Sequence, residues 1–286
     1  MAIYLCAMKT LRRTLLFFNL LSLDVVFGAM AGMYFFSDIL ESNCPLVSYF
    51  LLGMAVWGIY TLDHLADAKM TVRQATSRRH QFHQKNFKLI SKAWVFVVLA
   101  GFSFLFLFRE IHFLIISGVL LSLIMTFWMA CLRWIGEKAS WLKEISTAIF
   151  YVSGITMVPW LLKDPDYNSV IFYLLISGYL ILAFLNLLIL SYMDQRGDER
   201  DGFGSILVIL SKAQLSQLIW FLGIFGIVFL VVLFFLQPSY FKIHISLLVL
   251  MFLFHLLQFG SNQGEADVAR QKMEAVFIFP LVLLLM

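Results

Sequence analysis

Nine apolar runs separated by charged connections limit what this chain can become. Read with a helix-length hydropathy window, they cover roughly 14–36, 46–62, 90–108, 112–132, 145–162, 169–193, 215–236, 241–259 and 274–286. Most approach the roughly 20 residues that an α-helix needs to cross about 30 Å of hydrocarbon; the last is short for a crossing. A length of 286 residues would also suit two soluble domains, but 62% hydrophobic and 13% charged residues do not. The expected fold is all-α: a polytopic membrane protein of about nine transmembrane helices, forming a single domain over 1–286.

The basic residues set an orientation. All but Arg109, Lys163 and Lys242 of the 21 Lys and Arg residues fall in the N-terminus or in the connections after runs 2, 4, 6 and 8, counting Lys92 at the edge of run 3 with the connection before it. By the positive-inside rule those segments are cytoplasmic and the C-terminus lies on the opposite side. No cleavable signal peptide is evident, because the first run is far longer than a signal core; the first helix is expected to serve as its own insertion signal. The net charge of +4 follows from this loop bias, and no continuous basic face suggests a nucleic-acid partner. Cys6, Cys44 and Cys131 have no metal-site or disulfide spacing.

Two acidic motifs close runs 2 and 6. The first, around 60–67, contains Asp63 and Asp67; the second, over 191–205, contains Asp194 and Asp198, with Asp201 and Glu199 read as solvated. Both pairs have the spacing D-x-x-x-D, which puts two carboxylates on one helical face. Both fall on the same side of the membrane, as in a parallel repeat about the membrane normal. Carboxylates at the mouth of a membrane bundle are costly and usually mark a site. Four of them facing one another need a cation between them, and Mg2+ suits a few carboxylates plus substrate phosphate oxygens. Lys69, Arg73, Arg78 and Arg79 follow the first pair, and Arg196 and Arg200 interleave the second, as counter-charges for a diphosphate.

With its acidic motifs after runs 2 and 6, the layout resembles the UbiA superfamily of intramembrane prenyltransferases. The second motif, Asp194-x-x-x-Asp198-x-x-x-Gly202, is the closest in pattern. The family's first motif opens on an asparagine, and Tyr60 stands at that end here. The connection Arg73 to His80 lacks the Arg-Pro-Leu often found there. Where many members carry Y-P-x-x-K-R, this chain has Trp128 and Leu132 in place of Tyr and Lys, and keeps Arg133. The resemblance implies a nine-helix bundle with a central cavity open to the cytoplasm. It also implies Mg2+-dependent transfer of a polyprenyl group from a prenyl diphosphate to a lipophilic or aromatic acceptor. Asp63, Asp67, Asp194 and Asp198 would hold the metal and act in catalysis. Lys69, Arg73, Arg78, Arg79, Arg133, Arg196 and Arg200 would neutralise the diphosphate as it leaves. Alternatives on the same scaffold are an intramembrane terpene cyclase and a non-catalytic bundle that binds or transports a lipid or anion.

Other residues are weighed as cavity lining. Asp24, with Asn19 nearby, cannot comfortably face lipid and is expected to point inward to a polar or basic partner. Tyr60, Trp128, Tyr151 and Tyr192, like Trp57, offer aromatic faces that suit a carbocation. His80 and His83 have the i, i+3 spacing of metal ligands, but no third ligand lies near in sequence, and phosphate contact or solvation is the reading adopted. His255 is expected to be a neutral, hydrogen-bonded core histidine. Gly28, Ala29, Ala31 and Gly32 are read as a helix-contact face.

Overall fold

The computed structural model describes residues 14, 16–70, 77–136, 141–164, 170–201, 204–261 and 266–285; the side chains of Met70, Arg133, Arg196, Asp198, Glu199, Asp201, Ala266 and Asp267 fall outside the description. After the helical residues 16–20, the helices with described bounds are, in order, α1 Leu23–Ile39, α2 Leu46–Met70, α3 Arg78–Lys85, α4 Phe87–Leu107, α5 Leu114–Ile135, α6 Trp141–Leu162, α7 Val170–Asp201, α8 Lys212–Leu236, α9 Ser239–Ser261 and α10 Ala266–Val276. A 3-10 helix, Phe279–Leu285, ends the chain. There is no strand among the described residues.

Seven of these helices, α2 and α4 to α9, are long and apolar enough to cross a membrane. The two expected spans that differ do so for local reasons. Run 1 is not one continuous helix. Ser22 takes the left-handed conformation at φ 55°, which costs an L-residue roughly 1–2 kcal/mol, and the chain turns there before α1 continues for 17 residues. Run 9 supplies only the last turn of the charged α10 and then the short 3-10 helix, neither of which has the length of a crossing.

α1 lies at the centre. It packs on α2, α6, α10 and the C-terminal 3-10 helix, while α6 packs on α7, α7 on α8 and α9, and α9 on α10. Without a hydrophobic drive between helices in lipid, close approach comes from small side chains. A Cβ at Gly28 would meet Phe277 at 2.9 Å, and one at Gly32 would meet Ile155 and Tyr179 at 2.8 Å. Phe35 and Phe36 of α1 pack at a tilt against Tyr179 of α7 to complete the core. α5 is at the periphery, with Ile116 82% and Phe127 72% exposed, as lipid-facing residues should be.

The two ends of the bundle differ. At one end, His244 of α9 bonds Asp38 of α1 at 2.7 Å and Tyr240 donates to the Asp38 carbonyl oxygen at 2.5 Å. The other end gathers the C-terminal turns of α2 and α7, the start of α6, and the amphipathic α3 and α10. It carries most of the buried charge.

Candidate functional site

α3 owes its position to its cap. Ser77 accepts a hydrogen bond from the His80 backbone at 3.2 Å, satisfying an otherwise orphaned N–H, and the helix then presents His80 and His83 to His64 of α2 and Arg79 to α10. Arg79 and His83 are buried. The His83 Nδ1 lies 2.9 Å from the Arg79 carbonyl oxygen, so it must carry the proton. Burial holds the His83 imidazole below its ordinary range, with the Arg79 charge adding to the effect and that carbonyl opposing it.

The first acidic motif meets cations and imidazoles of its own chain. Asp63 lies 3.3 Å from Lys143 of α6. Lys143 is 43% exposed in its side chain, so solvent screens the pair and it holds weakly. Asp67, 8% exposed, has His80 at 3.9 Å. Tyr60 stacks edgewise near His64 at 6.5 Å. The second motif meets α10, where Arg270 donates to Asp194 in a close ion pair. Burial pulls the Arg270 guanidinium down to about 10, with repulsion from Arg79 second; it remains a cation at neutral pH. The Asp198 side chain lies outside the described residues.

Between the motifs runs a buried polar network. Glu274 of α10 accepts hydrogen bonds from Arg79 at 2.8 and 3.3 Å and from Asn19 at 2.7 Å. Asn19 also bonds Asp24 closely, so Asp24 does turn inward. Burial alone would push the Glu274 carboxyl up, but Arg79 and then Arg270 outweigh it and hold it below the usual carboxylate range. Glu144, beside Lys143, accepts from Ser191 at 2.8 Å and from the Ile206 backbone at 3.0 Å, which fastens α6 to the segment carrying the second motif.

Followed in order, these contacts close on themselves. Asp63 pairs with Lys143; the adjacent Glu144 holds Ser191, one turn before Asp194; Asp194 pairs with Arg270; one turn on, Glu274 pairs with Arg79; and the adjacent His80 returns to Asp67, one turn from Asp63. The two acidic motifs, far apart in sequence, thus sit at one end of the bundle on one polar circuit. Carboxylates, imidazoles and guanidinium groups at a single membrane-bundle end can hold a divalent ion and a polyanion together.

The other predicted residues are dispersed. Lys69, Arg78 and Arg200 are exposed. Arg73 lies outside the described residues, as do the side chains of Arg133 and Arg196. Trp128 is on the outer helix α5 and 36% exposed. Tyr151 stacks on Tyr179 and meets Phe277 in the core. Tyr192 meets Phe259 edgewise and carries the Lys212 ammonium over its ring at 4.6 Å. His255 bonds its own helix at Met251, as a core histidine should. Glu274, Lys143, Glu144 and His64 were not predicted. Only His64 had a local signal, the i, i+3 spacing to Asp67.

The sequence matches no family model and no curated protein. Among solved structures, the chain is similar to the apo structure of a UbiA homolog from Aeropyrum pernix K1, with a TM-score of 0.62 and 14% identity, covering 92% of this chain and 98% of that one. The protein therefore has a UbiA-like helical membrane fold.

Proposed function

We propose that the protein is a UbiA-like intramembrane prenyltransferase that takes a prenyl group from a prenyl diphosphate and passes it to a lipophilic or aromatic acceptor. The observation that carries this reading is the polar circuit: on a UbiA-like fold, both D-x-x-x-D motifs meet basic side chains at one end of the bundle. In the proposed orientation that end faces the cytoplasm, where soluble diphosphates are made.

The residues fit Mg2+ in part. Asp63 and Asp194 offer hard oxygen donors, each now paired with a cation of the chain that a metal would have to displace. Asp198 would join them, with Asp67 contributing from the side of the imidazoles. When bound there, Mg2+ would neutralise charge on the departing pyrophosphate. Lys143 and Arg270, released from their carboxylates, would turn to the diphosphate oxygens and orient the donor. Glu274 keeps Arg79 and Arg270 charged and in place. The prenyl chain itself would lie among the apolar side chains of the bundle, away from water.

A second reading has its own observation. Because Asp63 and Asp194 each already hold a cation of the chain, the bundle could bind an anionic lipid without reacting with it. Purified protein incubated with geranyl, farnesyl and longer diphosphates plus a membrane lipid extract separates the two. The enzyme releases pyrophosphate only with Mg2+, and the product is a prenylated acceptor, or a cyclised hydrocarbon if the chain is its own acceptor. Diphosphate binding without release would leave the binding reading and remove the first.

A further inference from the structure

We propose that His64, Asp67 and His80 form a binding site for a first-row transition-metal dication, Zn2+ foremost, where α3 folds back on α2. The inference gives Asp67, which the proposed Mg2+ set also draws on, to the two imidazoles, and His64 and His80 belong to this site alone; it stands whether or not the protein transfers prenyl groups.

The geometry is close to that of a formed site. One ligand atom from each of the three residues lies within 4.8 Å of the other two. Ligands on a tetrahedral ion with bonds near 2.1 Å sit about 3.4 Å apart, so side-chain rotations that move each atom by about an ångström would close the set. His64 and Asp67 come from one face of α2, and His80 from α3, whose start is fixed by the Ser77 cap. A chelate is therefore prearranged by two short helical segments and needs no long loop to fold around it.

His64 supplies the independent observation. Both of its ring nitrogens are buried, and neither has a hydrogen-bond partner among the described residues. An imidazole offers one donor and one acceptor, and leaving buried polar atoms unmet costs about 1–3 kcal/mol each. The ring is also packed against two more imidazoles, His80 at 5.5 Å and His83 at 4.9 Å between centroids. Ordinary core packing would favour an apolar side chain there. A cation that takes up a nitrogen lone pair accounts for the buried histidine.

The donor set then selects the ion. Two imidazoles with one carboxylate suit zinc and its first-row neighbours, whereas Mg2+ and Ca2+ prefer oxygen ligands throughout. The site thus differs in kind from the carboxylate seat of Asp63 and Asp194. Nearby charge permits it: Arg79 is neutralised by Glu274 and Lys143 by Asp63, while Asp67 contributes a negative charge. Three protein ligands leave a fourth position open to water or an anionic oxygen. His83, oriented by the Arg79 carbonyl, stands beside His64 as a supporting residue.

The test uses full-length protein without a polyhistidine tag, stripped with chelator in detergent. Wild type should retain one equivalent of Zn2+ per chain after desalting, in the presence of excess Mg2+, and Co2+ in its place should give the visible bands of a four-coordinate nitrogen/oxygen site. His64→Ala and Asp67→Asn should each weaken Zn2+ binding by at least about 100-fold, and His83→Ala by less. X-ray absorption on zinc-loaded wild type should show two imidazoles, a readout that depends on no variant folding. Sub-stoichiometric zinc in wild type, displacement by Mg2+, or a zinc shell of oxygen alone would overturn the proposal.

Discussion

Arg79 and Glu274 are joined by two hydrogen bonds, at 2.8 and 3.3 Å, although 195 positions separate them in sequence. The pair is almost fully withdrawn from solvent, at 7% exposure of each side chain. It fastens α10 to α3, the helix that packs on α2 beside the first acidic motif.

Removing one partner of such a pair leaves the other buried and unmatched, which typically costs about 3–5 kcal/mol. Glu274→Ala should therefore lower the thermal midpoint in detergent sharply. Lys143→Ala, whose pair with Asp63 is screened by solvent, should cost less than about 1 kcal/mol. Equal shifts in the two variants would contradict the difference in burial.

Glu274 also predicts a pH dependence. Its carboxyl is held below the ordinary value of 4.5 in the fold, so the unfolded chain binds its proton first as pH falls. The stabilisation is fully present above that value and is lost as pH drops through the folded one. Acid unfolding of wild type should show this loss, and Glu274→Gln should flatten it. An unchanged acid limb in Glu274→Gln would remove Glu274 from the account.

Arg270 bears on the prenyl-transfer reading. If it leaves Asp194 for the diphosphate during turnover, Arg270→Ala should reduce pyrophosphate release by roughly 100-fold, as for loss of one stabilising donor. Asp194→Asn should abolish the Mg2+ dependence together with the activity. Steady-state pyrophosphate release as a function of Mg2+ concentration measures both. Full activity in Arg270→Ala would confine that arginine to a structural role.

Gly32 tests the packing. A side chain there meets Tyr179 and Ile155 at 2.8 Å, and overfilling a packed interface costs about 1–3 kcal/mol. Gly32→Val should destabilise the bundle, whereas Gly118→Ala in α5, with open space around its Cβ, should not. Midpoints from thermal denaturation in detergent compare the two directly.

Sequence reasoning reached the membrane class, the two acidic motifs and the inward turn of Asp24 because each depends on local composition or on spacing along one helix. It missed the break at Ser22, since hydropathy is blind to a single left-handed residue. It counted run 9 as a short span because its residues are apolar, although they form only the end of α10 and a short 3-10 helix. The partners Lys143, Arg270 and Glu274 depend on how α6 and α10 dock, and no local pattern encodes that. His80 and His83 were recognised as a ligand-like pair without a third member. The missing residue was His64, already in the first motif, brought near only when α3 folds back on α2.

α10 carries a base and an acid on successive turns, Arg270 facing an acid of α7 and Glu274 facing a base of α3. Swinging that helix outward would expose one acid and one base on the bundle and take one of each away with it. Neither the shut nor the open form would gain net charge. Admission of a ligand at this end would then be governed by how well it replaces two matched contacts, with little sensitivity to salt at long range.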